Sequence, residues 1–424
     1  MTLWHVKVAL MRAAAFLWRR LLVRTTFIAI TGSVGKTSSK EMLAAMLATR
    51  YPTVKTFANQ NDYSGVPRSL LRVRPWHRFA VVEVAANGRG TMPRSAALVR
   101  PDIAVVLAVA TTHRKDFRTL DRTAAEKAQL LAALRPSGTA VLNRDDPRVA
   151  AMGAGLRQRI VWFGSSPTVD YRAEHVASRW PERMSFKLHA GLQSYALRSR
   201  LLGTHWQNSA LAALAVADLC GIPLAEAISA AARVEPVTGR MQPVDLPCGA
   251  VLIRDEYGAA LDTLLPALAF LEQASARRRI LVFSDMSDTP MSPKRRFAWI
   301  GEQAVRCMDG VVFVGEQCER GVRAAIAAGM PPTAVHAFQD GHQAALFLRG
   351  ELRSGDLVLL KGRTCDHMTR VYYGLIGAVA CRKAVCKKTI ICDLCPELGA
   401  RPSVAHRAST SIGSIGTTNP DGIA

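Results

Sequence analysis

The chain has 424 residues, too many for one ordinary core, and its length sets an expectation of two or three domains. Hydrophobic residues make up 49% and charged residues 21%, a balance that excludes general disorder. A formal charge of +22 favours anionic partners such as nucleotides, nucleic acid, acidic substrates or anionic lipid, although an arginine-rich composition produces the same excess without function. Nine cysteines are spread through the chain without a convincing signal peptide, so they fit a reducing, cytoplasmic compartment better than a disulfide framework.

Residues 1–25 read as a basic amphipathic helix. Trp4, Val8, Leu10, Met11, Ala15, Phe16, Leu17, Trp18, Leu21 and Leu22 supply an apolar surface, interrupted by Lys7, Arg12, Arg19, Arg20 and Arg24. No apolar run reaches the roughly 20 residues that span a bilayer. Ala13-Ala14-Ala15 lies in mid-pattern, not after an apolar run as a cleavage site would. Two readings stay open: peripheral contact with an anionic membrane surface, or a helix packed on the next domain with its arginines outward.

Residues 26–237 alternate between strand and helix. Thr26 to Ile30 is a short β-branched run, read as a buried parallel strand, and the segment from Ser38 to Thr49 behind it reads as a helix. Further strands are expected at Phe79 to Val84, Ile103 to Val109 and Thr139 to Leu142, with a helix from Thr123 to Leu134. Two alanine-rich helices, Ser209 to Leu219 and Leu224 to Val234, lead to a linker at Pro236 to Arg240. Residues 238–380 restart the alternation, with strands at Ala250 to Ile253, Ile280 to Phe283, Val311 to Val314 and Leu357 to Leu360 and a helix at Leu261 to Leu271. The fold class is therefore α/β, with parallel sheets covered by helices. Residues 381–424 change composition, and Ser409 to Ala424 reads as disordered.

The strand ending at Ile30 runs into Gly32-Ser33-Val34-Gly35-Lys36-Thr37-Ser38. A glycine turn between strand and helix aims backbone N–H groups at one point and suits a polyphosphate. Lys36 adds a point charge, and the Thr37 hydroxyl is a ligand type for Mg²⁺. The spacing is shorter than the usual G-x-x-x-x-G-K-[ST], and the bland alternative is a lysine-bearing turn at a helix start.

The residues from Ile28 to Met42 closely resemble the opening of the central domain of Mur ligases, nearest to the branch that adds D-alanyl-D-alanine to the peptidoglycan precursor. The likeness continues in order. Thr56-Phe57-Ala58-Asn59-Gln60-Asn61 resembles the family's asparagine-rich substrate loop, and Val82-Glu83-Val84-Ala85-Ala86-Asn87 its E-x-G-A-N strand end. Arg100 to Val105 followed by His113, Glu126-Lys127-Ala128, and Leu142 to Pro147 match further segments. The resemblance implies a P-loop central domain followed by a smaller Rossmann-like C-terminal domain. It also implies a ligase that uses ATP and Mg²⁺ to activate a carboxylate as an acyl phosphate for attack by an amine.

By the same resemblance Thr37, Glu83, His113 and a carbamylated Lys127 would be metal ligands, and Gly32 to Ser38 with Asn208 would hold the nucleotide. Lys36, Lys127, His113, Asp255 and Arg240 would be catalytic, and Asn59, Asn61 and Lys361 would meet substrate. Lys361, in a K-G-S-R-like segment without its serine, and the hinge residue Arg240 also read as plain surface charges. Three family asparagines are replaced, by Ser209, Gly258 and Ala260, which puts nucleotide placement by those loops in question. The family's N-terminal domain for the uridine-diphosphate part has no expected counterpart in residues 1–24. The acid is then either a peptidoglycan precursor or another carboxylate, lipid-linked or polymeric.

In the tail, Cys381, Cys386, Cys392 and Cys395 have spacings that suit a zinc or iron–sulfur site as well as unpaired thiols. A basic P-loop ATPase acting on nucleic acid is the rival class. It would need aromatics interleaved with the basic residues, and only 6% of residues are aromatic, with no such cluster beyond the N-terminal helix, so no nucleic acid is expected. A non-catalytic relative is the remaining alternative.

Overall fold

The computed structural model describes residues 3–111, 117, 119–377, 379–383, 386–388 and 390–399. Helix α1 (Leu3–Leu21) precedes β1 (Thr26–Thr31), α2 (Lys36–Leu47), β2 (Thr53–Lys55), α3 (Gly65–Leu71), β3 (Phe79–Glu83), α4 (Thr91–Val99) and β4 (Ile103–Val106). Then come α5 (Leu120–Ala132), β5 (Thr139–Asn143), α6 (Pro147–Met152) and β6 (Arg159–Gly164). The strands β7 (Tyr171–Ala177), β8 (Ser185–Ala190) and β9 (Gln193–Arg198) follow, and helices α7 (Gln207–Leu219) and α8 (Leu224–Ala231) close the unit.

These strands form one sheet in the order β2-β3-β1-β4-β5-β6-β7-β8-β9, parallel as far as β7 and antiparallel beyond it. Apolar runs suit β1, β3 and β4 because both of their faces are covered. Ile28, Ile30, Val81 and Val105 pack on one side with Leu43 of α2 and Leu214 of α7. Phe27, Ala29, Val82 and Val106 point to the other side, with Leu70 of α3, Ala96 of α4 and Leu130 of α5.

The second unit contains β10 (Gln242–Asp245), β11 (Val251–Asp255), α9 (Leu261–Glu272), β12 (Arg278–Phe283), α10 (Pro293–Cys307) and β13 (Gly310–Val314). It continues through α11 (Cys318–Ala327), β14 (Val335–Phe338), α12 (Gly341–Glu351), β15 (Asp356–Lys361) and α13 (Thr369–Ile376). Its sheet order is β10-β11-β15-β12-β13-β14, with only β10 antiparallel. Ligands of open parallel sheets bind beyond the carboxyl ends of the strands. The ends of β1 and β3 in one unit, and of β11 and β15 in the other, carry most of the residues singled out from the sequence.

Helix α1 corrects one expectation. It packs on the first unit, but two of its three arginines turn inward and only Arg20 stays exposed. Arg12 donates to Tyr63 O at 2.9 Å and Arg94 O at 2.8 Å, and Arg19 to Val99 O at 2.7 Å and Arg100 O at 2.8 Å. The Arg19 guanidinium also stacks on Phe27 and lies 3.7 Å from Asp102. Val99 O and Arg100 O close the C-terminal end of α4, where carbonyls lack intrahelical partners, so the Arg19 guanidinium satisfies them, while Arg12 bridges the carbonyl of Tyr63 before α3 to that of Arg94 within α4. No described helix is long and apolar enough to cross a membrane. The segment from Ser409 to Ala424 lies outside the described residues.

Candidate active site

The glycine turn is fixed from two sides. Ser33 N donates to Ala108 O at 2.8 Å, and Ala110 N donates to Ser33 Oγ at 2.8 Å, tying the turn to the chain beyond β4. Gly35 has φ +83°, and an added Cβ would come within 2.6 Å of Ser209 Oγ. The loop therefore needs glycine both for its conformation and for the close approach of α7. Ser209 donates to Gly35 O at 3.3 Å, so the residue standing where the family has asparagine buttresses the turn. Asn208 beside it has a buried Oδ1 without a hydrogen-bond partner. Lys36 begins α2 and donates back to Gly32 O at 2.7 Å and Ser33 O at 3.3 Å. Burial lowers its pKa, Glu83 opposes that, and Arg240 adds to it.

Glu83 at the end of β3 is the hub. Thr37 Oγ1 donates to its Oε2 at 3.1 Å, and Asn61 Nδ2 donates to its Oε1 at 2.7 Å. The loop carrying Asn61 is fastened there as well, by Ala85 N to Asn61 O at 2.9 Å and Glu83 N to Thr56 Oγ1 at 3.0 Å. Asn59 is exposed on the same loop. Lys40, passed over in the sequence, is fully buried 3.7 Å from Glu83 and donates to Ala58 O at 2.6 Å. Its place one turn after Lys36 on α2 was the available signal.

Lys127 on α5 is only 2% exposed. Burial, and then the charge of Lys36, push its pKa well below the ordinary lysine value, with Glu126 opposing. Glu126 accepts from Gly90 N at 3.1 Å and Met92 N at 2.9 Å, holding the start of α4. His113 lies outside the described residues.

Across the cleft, Lys361 at the end of β15 pairs with Asp255 at the end of β11 and lies 3.4 Å from Thr263 Oγ1. Lys361 is 0% exposed, which corrects the surface-charge reading: two parallel strand ends place it beside a buried carboxylate. Burial raises the Asp255 pKa while Lys361 opposes, and the same burial lowers that of Lys361. Asp255 also accepts from Met241 N at 3.1 Å, next to Arg240. A Cβ on Gly258 would come within 3.0 Å of Arg240 Nη1, so that glycine leaves the arginine its room. The charge of Arg240 adds to the lowering of the pKa of both Lys36 and Lys361 that burial begins. Thr111 N donates to Asp262 Oδ2 at 2.8 Å, and its hydroxyl reaches the same oxygen, so α9 meets the loop after β4.

Oxygen-rich Thr37 and Glu83 beside a phosphate-type turn suit a hard divalent cation. Among the described residues no three His, Cys, Asp or Glu side chains are grouped closely enough to hold one by themselves. A hydroxyl, a carboxylate and phosphate oxygens do not need such a group.

The Mur ligase middle domain matches residues 30–217, and the Mur ligase glutamate ligase domain matches residues 239–364. UDP-N-acetylmuramoyl-tripeptide--D-alanyl-D-alanine ligase of Mycobacterium tuberculosis is 33% identical over 377 residues, covering 84% of this chain and 74% of that protein. The Escherichia coli ligase of the same name is 32% identical over 305 residues, covering 71% and 67%. A crystal structure of MurF from Acinetobacter baumannii superposes with a TM-score of 0.77 at 26% identity, over 87% of this chain and 80% of that one. MurF from Thermotoga maritima, solved with ADP, shares the fold with a TM-score of 0.75 at 21% identity over 87% and 83%. With two α/β units whose strand ends face each other over a glycine turn, the chain belongs to the Mur ligase family and is an ATP-dependent ligase that joins a carboxylate to an amine.

Proposed function

We propose that the reaction runs through an acyl phosphate: a substrate carboxylate oxygen attacks the γ-phosphorus of ATP, and ADP leaves. The amine nitrogen then attacks the acyl carbon, inorganic phosphate departs, and the amine gives up a proton. Phosphoryl transfer of this kind depends on charge neutralisation and positioning. The observation that carries the reading is the group Lys36, Thr37, Asn61 and Glu83 gathered at the Gly35 turn. Bound phosphate would offer Lys36 a charged partner in place of the carbonyls of Gly32 and Ser33. Thr37 and Glu83 would hold Mg²⁺, whose contribution is to offset the phosphate charge. Burial favours the neutral amine of Lys127, the form that adds to carbon dioxide and becomes a carbamate, an oxygen ligand.

The acid is of the peptidoglycan-precursor type or a related acid, and the amine is an amino acid or short peptide, as the names of the relatives suggest. A lipid-linked acid is favoured by α1 and the residues after it. Leu10, Leu17, Leu21 and Val23 are 64–82% exposed, with Trp4 also exposed, beside Lys7, Arg20 and Arg24. Such a face suits an anionic membrane surface on the cytoplasmic side, where ATP is available.

The test is amine-dependent phosphate release from Mg-ATP across a panel of candidate acids. Lys36→Ala is expected to lower the rate about 10²–10³-fold. Lys127→Ala is expected to regain part of its activity with formate or acetate. Full rates in Lys36→Ala, or release driven by DNA or RNA, would refute the reading.

A further inference from the structure

Residues 379–399 contribute neither strand nor α-helix among the described residues, only two short 3₁₀ turns, Cys392–Leu394 and Pro396–Leu398. The loop is drawn shut by Ala380 N to Leu398 O at 3.0 Å and is docked by His342 Nε2 to Cys381 O at 2.6 Å. Its buried apolar residues are Val379, Cys392 and Leu398. Three such side chains return about 1.5–3 kcal/mol each, while ordering each residue of the loop costs about 1–2 kcal/mol. Irregular units with so small a core generally carry a cross-link.

The means of cross-linking is at hand. Cys381, Cys386, Cys392 and Cys395 line one pocket, with His367, Arg370 and Lys388 in its wall. Cys395 N donates to Cys392 O at 2.9 Å, a tight C-x-x-C turn, and His367 Nδ1 lies 3.2 Å from Cys392 Sγ. As placed, no three of these donors among the described residues stand within one coordination sphere. Residues 384, 385 and 389, which connect the first three cysteines, lie outside the described residues.

Between Cys392 and Cys395 sits Asp393, and its contacts give the loop a purpose. Arg254 Nη1 and Nη2 donate to its two oxygens at 3.1 and 2.8 Å, Tyr373 Oη donates at 2.9 Å, and Tyr257 Oη donates as well. Arg254 and Tyr257 flank Asp255, the partner of Lys361 in the cleft.

We propose that the four cysteines close around one Zn²⁺ as a tetrahedral thiolate site, and that this site positions Asp393 as a clamp on the loop from Arg254 to Tyr257. Closure draws the sulfurs in to about 2.3 Å from the metal. Four thiols give up four protons, leaving a centre of net charge two minus, which Arg370 in the pocket wall offsets in part, Lys388 there being paired with Glu397 at 2.7 Å. A softer donor set than Thr37 and Glu83 separates this ion from the one at the nucleotide turn. The inference does not depend on which acid or amine the ligase uses.

The full chain, purified without chelator, should contain about one equivalent of zinc by mass spectrometry. Cobalt exchange should produce the intense visible absorption of tetrahedral thiolate coordination. Cys392→Ser with Cys395→Ser should lose the metal. If that variant fails to fold, a mercurial titration of the wild type should release zinc as four thiols react. A protein without zinc, an iron cluster in its place, or zinc retained by the double variant would overturn the site. For the clamp, Asp393→Asn should keep the zinc yet speed amide exchange at residues 254–258, with exchange in the first sheet unchanged. Unchanged exchange at 254–258 would remove the positioning role.

Discussion

His205 is a half-buried imidazole whose Nδ1 is shut away from water without a hydrogen-bond partner. Burial, and then the charge of Lys361, push its pKa down to about 3 from the ordinary 6.5. The folded ring therefore stays neutral through mild acid, while the unfolded chain takes up a proton below 6.5. The unfolded state binds more protons in that window, so stability is full above pH 6.5 and falls as the pH drops toward 3. The loss is about 1.4 kcal/mol per pH unit, or about 2 kcal/mol between about pH 6.5 and about pH 5. His205→Gln should flatten this limb in urea denaturation followed across the same range. Equal slopes in the two proteins would show that the imidazole is not held neutral. Other single residues were legible to different degrees. Thr37, Glu83 and Asn61 belong to motifs, and they meet in space. The burial of Lys40 and of Lys361 was not legible, because a lysine's environment is set by other segments of the chain, here Ala58 for one and Asp255 for the other.

At the scale of elements, the buried parallel strands announced themselves through continuous β-branched runs. The hairpins β7 to β9 did not, because β7 and β9 break the polar–apolar alternation and leave the alternating β8 without a legible partner strand. Helix α1 was visible as a helix, but its orientation was not. Arg12 and Arg19 turn inward to carbonyls of the first unit, those of Tyr63 and Arg94 for one and those at the end of α4 for the other, which leaves an apolar stripe on the far side. The membrane reading of that stripe has a direct consequence. The protein should sediment with vesicles containing anionic phosphatidylserine and much less with neutral ones. Leu10→Ser with Leu17→Ser should weaken binding by about tenfold or more, each buried leucine contributing about 1.5–3 kcal/mol. Binding that ignores both the lipid charge and the two leucines would rule the surface out.

For the whole molecule, the decisive contacts are those that bring two separately folded sheets to one cleft. Thr111 and Asp262 join the loop after β4 to α9, and the charge of Arg240 is felt by both Lys36 of the first unit and Lys361 of the second. Removing a hydrogen bond to a charged group costs about 1.5–3 kcal/mol. Asp262→Ala should accordingly lower kcat roughly ten- to a hundredfold if the contact holds the closed arrangement, since about 1.4 kcal/mol is tenfold in rate. Nucleotide affinity should change little, and small-angle scattering should show a broader distribution of distances. Wild-type kcat together with an unchanged scattering profile would show that the contact is incidental.

The sequence by itself determined the alternation of strands and helices, the glycine turn and the family, because local backbone preference and short ordered motifs are carried by neighbouring residues. Tertiary structure decided which lysines lose contact with water, which way the arginines of α1 face, and that Asp393 of the tail reaches Arg254 and Tyr257. Those outcomes depend on desolvation and on partners supplied by other elements of the chain, and no local pattern encodes either.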